Sequence, residues 1–100
     1  MKKRKKYSDF VQEKVFAMHE SIMSYIDDIG NEEKFYDMED MITRCRVAVP
    51  DKIYRVIKHF VTQYLEMDLY GDNDGKSNCC DFKEMYEGIA MEYIRPVLVV

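Results

Sequence analysis

The sequence predicts a mainly α protein, a compact bundle of about four amphipathic helices forming one domain. Three observations predict it. Apolar residues recur at steps of three and four in four separate stretches, the period of a helix with one buried face. Only four Gly and two Pro punctuate 100 residues, too few for a turn-rich sandwich or barrel. And 47% hydrophobic with 34% charged residues is the mix of a folded globule. A chain this long fits one domain and buries roughly 65% of the surface its unfolded form exposes.

The first helix is read from Tyr7, Val11, Val15, Met18, Ile22, Ile26 and Ile29, a stripe widened by Phe10 and Tyr25. Ser8 suits its N-cap, Asp9 its first turn, and Gly30 the residue just past its end. A second helix starts after Asn31, with Phe35, Met38, Met41 or Ile42, and Cys45 inward. The following 44–49 stretch alternates and fits an extended segment, since Val49 precedes Pro50 and is biased away from the α region. Pro50 opens a third helix, where proline costs least, with Ile53, Val56 or Ile57, Phe60 or Val61, Tyr64 or Leu65, and Leu69 on its apolar face. Residues 71–78 form the one clear loop. Asp81 followed by Glu84 has the form of a capping box for a fourth helix, which Pro96 is expected to end. The tail 97–100 is β-prone; a short C-terminal β-ribbon against 46–49, or an oligomer contact, would use it.

The net charge of −4 hides a division. Lys2, Lys3, Arg4, Lys5 and Lys6 form a basic tail, read as disordered, ahead of the 7–100 domain. In that domain ten basic residues face nineteen acidic ones, a net of −9. Cys79 and Cys80 are adjacent and Cys45 is far away. Neither histidine lies near a cysteine and no C-x-x-C pair occurs, so neither a zinc site nor a disulfide framework is indicated. Reduced thiols in an intracellular protein are the expectation. No apolar run approaches the length of a membrane span, and no apolar segment follows the basic N-terminus as a secretion signal requires.

Three candidate sites follow. Asp27, Asp28, Glu32, Glu33, Asp37 and Asp40 crowd a helix–turn–helix corner. Such an acidic face either is simply solvated or presents carboxylates to a basic partner, as small acidic proteins do when they occupy a nucleic-acid groove. The opposite sign gathers at Arg44, Arg46, Lys52, Arg55 and Lys58, which with the Lys2–Lys6 arm would neutralise phosphates in a salt-dependent way; the −9 body opposes this except along that strip. The loop Asp72-Asn73-Asp74-Gly75 resembles the start of an EF-hand. With Gly75 at the turn position, however, position 1 is Tyr70 and position 12 is Asp81. Placing Glu84 last puts Gly75 at position 3. Asp72, Asp74, Asp81 and Glu84 are therefore at most a degenerate cation site, and an acidic turn accounts for them equally.

Catalytic chemistry finds no support. His19 and His59 lack a helix-spaced partner of the H-E-x-x-H kind, no serine sits in G-x-S-x-G, and no glycine-rich phosphate loop exists. No cofactor is expected. The leading expectation is a non-enzymatic protein-interaction module, an adaptor or inhibitor, with homodimerisation open. Abundant Tyr and Met suit interface anchors, and the Lys-, Ile- and Tyr-rich composition suits a virus or mobile element. A nucleic-acid-binding regulator is the alternative.

Overall fold

The computed structural model describes residues 7–71 and 79–98. They form four helices and, among the described residues, no strand. The first, α1, spans Asp9–Ile26. It starts where Ser8 leaves the extended region and its Oγ accepts the Val11 N–H at 3.2 Å, which satisfies one of the unbonded donors at a helix start. α1 stops three residues short of Ile29. Residues 27–30 turn the chain, ending at Gly30 with φ of 101°, a left-handed conformation that costs other residues a Cβ clash. Beneath this turn the buried Tyr25 hydroxyl accepts the Gly30 N–H at 3.1 Å.

Asn31 then caps α2 (Glu32–Cys45), its Oδ1 accepting the Lys34 N–H at 3.1 Å. After α2 the expected extended segment does not form. The amides of Ala48 and Val49 both return to the Cys45 carbonyl, so 46–49 is a tight turn. The apparent alternation has another origin: Cys45 and Val49 are buried on either side of that turn, while Val47 is 93% exposed.

α3 (51–70) begins at Asp51, immediately after Pro50. It runs as an α-helix to Phe60, widens into π-type turns over Val61–Glu66, and closes with Met67–Tyr70. α4 (79–98) consists of Cys79–Ile89, a π-type stretch Ala90–Ile94, and Arg95–Leu98. Two expectations fail here. The helix is under way from Cys79, so Asp81 lies inside its first turn and does not cap it. Pro96 does not end it either, and 97–98 are helical, so the short β-ribbon, one of two readings of the tail, finds no support among the described residues. The widened turn accounts for the passage through Pro96. The Arg95 N–H bonds the Ala90 carbonyl five residues back, which shifts the carbonyl that a proline ring would otherwise strike.

The helices alternate in direction around one core. α1 packs on α2 and along the whole of α4, and α3 lies against the first half of α4. Phe60 meets Tyr86, Tyr64 meets Phe82, and Lys52 lies over Tyr93, which fixes α3 and α4 as antiparallel neighbours. Val15, Met18, Ile22, Phe35, Met38, Ile57, Leu65, Tyr86 and Ile94 are essentially water-free. Each such aliphatic or aromatic side chain stabilises the fold by roughly 1.5–3 kcal/mol relative to exposure.

Candidate functional site

α2 buries Phe35, Met38, Ile42 and Cys45, so helical spacing turns two rows of residues outward. Glu33, Asp37 and Asp40 form one, at steps of four and three. Glu32, Tyr36 and Glu39 form the other, by the same steps, on the side facing α3. All but the half-buried Glu39 are exposed. Of the six acidic residues expected to form one face, the structure thus brings together Glu32, Glu33, Asp37 and Asp40. Asp28 is taken up locally: its carboxylate accepts the Asn31 side-chain amide at 3.0 Å and lies 3.6 Å from Lys34. Asp27 falls on the other side of the corner, beside Phe16, Glu20 and Met23 of α1.

Little positive charge answers this face. Arg44 holds Asp40 at 2.9 Å one turn along α2, and an exposed pair of this kind contributes little. Glu39 meets Glu66 across the α2–α3 seam. Its carboxyl is pushed above the usual range, chiefly by burial and then by Glu66, with Lys58 opposing. Two tyrosines stand among these acids. Tyr36 is 54% exposed and Tyr70 50%, and the Tyr70 hydroxyl donates to that of Tyr36 at 2.8 Å. Both rings meet the buried Phe35 edge-on, which holds them upright at little entropic cost. That shared hydrogen bond, followed by burial and the nearby Glu32 and Glu39 carboxylates, raises the Tyr70 hydroxyl well above the ordinary tyrosine range. Tyr36 and Glu39 were legible from their spacing with Glu32. Tyr70 and Glu66 were not, because only the α2–α3 packing brings them there.

The basic residues are dispersed and individually engaged. Arg55 binds Asp51 at 2.8 Å. The Arg46 guanidinium lies 5.2 Å from the centre of the Tyr54 ring, and the Lys52 ammonium 5.8 Å from that of Tyr93. Lys58 faces Glu39. Lys2, Lys3, Arg4, Lys5 and Lys6 lie outside the described residues, as do Asp72 and Asp74. Asp81 and Glu84 are exposed on the first turns of α4. Among the described residues no three His, Cys, Asp or Glu side chains gather as a metal site, and no helix is long and apolar enough to cross a membrane.

Two further clefts flank α4. Between α1 and α4, the half-buried His19 Nδ1 lies 2.6 Å from the Tyr86 hydroxyl. Burial raises the Tyr86 phenol and lowers the His19 imidazole against a smaller opposing effect of Glu20. In the tautomer that carries its proton on Nε2, His19 Nδ1 accepts from the Tyr86 hydroxyl. Between α3 and α4 runs an open apolar groove of about 510 Å³ lined by Val56, His59, Phe60, Tyr64, Met85 and Ile89, with Arg55 at its edge. Cys45 is a free, buried thiol whose pKa burial raises, the opposite of a reactive cysteine. No family model, curated protein or solved structure matches this chain.

Proposed function

We propose that this chain is a non-enzymatic protein-interaction module, an adaptor or inhibitor that covers a basic surface of another protein. The contact is the outward face of α2 together with the Tyr36–Tyr70 pair. The observation that supports it is the coincidence of weakly compensated like charge with exposed, rigidly held aromatics. Glu39 and Glu66 repel one another in the free protein, Glu32, Glu33 and Asp37 add exposed like charge beside them, and a cationic partner turns that charge into attraction and faster association. The two tyrosines add large contact area with few bonds to freeze. Arginine-rich or lysine-rich surfaces that otherwise hold nucleic-acid phosphates have the matching charge.

The test is affinity capture on the immobilised full chain from a lysate of its native source, with and without nuclease, at about 50 and about 500 mM salt, which shortens the screening length several-fold. A basic protein retained through nuclease, and lost when Glu33 and Asp37 are both changed to Lys, is the expected result. These two are preferred to Asp40, whose replacement would also break the Arg44 pair. Retention that disappears with nuclease, or that survives the double reversal but not Arg55→Glu with Lys58→Glu, would instead favour nucleic-acid binding through the basic residues.

A further inference from the structure

The α3–α4 groove plays no part in that reading, and its two edges differ in charge. On α3 the residues that follow its margin by helical spacing are Lys52, Arg55 and His59, beside Val56 and Phe60. On α4 the ridge next to Met85 and Ile89 is Asp81, Glu84, Gly88 and Glu92, all exposed. The first edge carries the cations Lys52 and Arg55, the latter paired with Asp51, the second carries the carboxylates Asp81, Glu84 and Glu92, and an apolar floor lies between them.

Gly88 is the second observation. It sits within the continuous helix Cys79–Ile89, where glycine costs roughly 1 kcal/mol relative to alanine. Its backbone angles are not in the left-handed region, and a Cβ built there would meet nothing within 4 Å. Nothing inside the protomer calls for the missing side chain. A second helix closing on that ridge would, because small residues let helix backbones approach.

We propose that the occupant of this groove is a second copy of the same chain, related by a twofold axis running along the groove parallel to the helices. Such an axis lays α3 of one copy antiparallel on α4 of the other, and the reverse. The level of each residue follows from the protomer's own pairings, with Lys52 beside Tyr93, Phe60 beside Tyr86 and Tyr64 beside Phe82. Lys52 and Arg55 of one copy then reach the level of Glu92 on the other, and His59 arrives over the Gly88–Glu84 stretch. The Arg55 Nε already holds Asp51, which leaves the terminal nitrogens of its guanidinium for a second carboxylate. The alternative axis, across the helices, stacks α3 on α3 and α4 on α4 and opposes like charges. A heterologous partner would have to carry both signs in the same order, which this surface already does for itself.

The experiment is sedimentation equilibrium of the full chain from low micromolar to near-millimolar concentration, with Gly88→Gln alongside. Glutamine is a better helix former than glycine, so this variant keeps or raises the stability of the protomer while its side chain blocks the approach. The expected result is a monomer–dimer equilibrium reaching twice 12.0 kDa. Gly88→Gln should weaken the dimer at least about tenfold, the effect of a modest steric clash, with unchanged helicity by circular dichroism. Lys52 and Glu92 also flank one cleft within the protomer, so the charge exchange is made between copies: Lys52→Glu and Glu92→Lys proteins should each dimerise weakly alone and pair when mixed. A chain that stays monomeric throughout overturns the proposal. So does a dimer indifferent to both Gly88→Gln and the charge exchange, since its interface then lies elsewhere. Neither result touches the acidic face of α2, which the capture experiment tests separately.

Discussion

A phenol without water around it has to bond something in the protein, and Tyr86 bonds His19. Removing one partner leaves the other unsatisfied, whereas removing both removes the need. His19→Leu is therefore expected to cost about 1–3 kcal/mol in urea unfolding, and markedly less in a Tyr86→Phe background. Equal costs in the two backgrounds would show that the bond contributes nothing. Glu39 makes the converse case. It is crowded by burial and by Glu66, so Glu39→Gln is expected to stabilise the free protein by roughly 0.5 kcal/mol while weakening partner capture. That split between stability and binding is the mark of a residue kept for contact. A purely structural Glu39 would lower both together or change neither.

Helix ends show what local chemistry can encode. Ser8, Asn31 and Pro50 each open the helix expected of them, because a cap depends only on residues a few positions away. Gly30 likewise closes the α1–α2 turn at positive φ, and Gly30→Ala should cost about 1–2 kcal/mol through that angle alone, seen as a lowered midpoint in thermal unfolding. The failures were of another kind. Residues 44–49 alternate in polarity, and a turn that buries both Cys45 and Val49 produces the same alternation as a strand. Pro96 ordinarily stops a helix, yet the widened turn over Ala90–Ile94 carries α4 past it. Such a turn has no signature of its own in the sequence. The candidate site divides in the same way. Glu32, Tyr36 and Glu39 lie on one helix at readable spacing, but Tyr70 joins them from 34 residues away and only the fold could show it.

For the whole molecule, charge shapes the pH dependence of stability and underlies the proposed association. His19 is held below its ordinary value of 6.5 by burial, so as pH falls the unfolded chain takes up this proton first. Stability from this group is complete above about pH 6.5 and declines as pH falls through that value towards the lower folded one. Chemical unfolding between about pH 7.5 and 5.5 should show the decline, and His19→Gln should flatten it; an equal slope in both proteins would assign the effect to other groups. The acidic residues gather on α2 beside Glu66, whereas Lys34, Arg44, Arg46, Lys52, Arg55 and Lys58 are dispersed and individually engaged. The claim that the α2 face is the binding surface is tested most directly by amide NMR of the full chain. It is titrated once with a lysine-rich amphipathic helical peptide and once with a short DNA duplex. The account expects the peptide to shift Glu32, Glu33, Tyr36, Asp37, Glu39 and Tyr70 in a salt-sensitive way, with the duplex leaving them unmoved. Shifts by the duplex at Lys52, Arg55 and Lys58, with the peptide leaving α2 untouched, would contradict it.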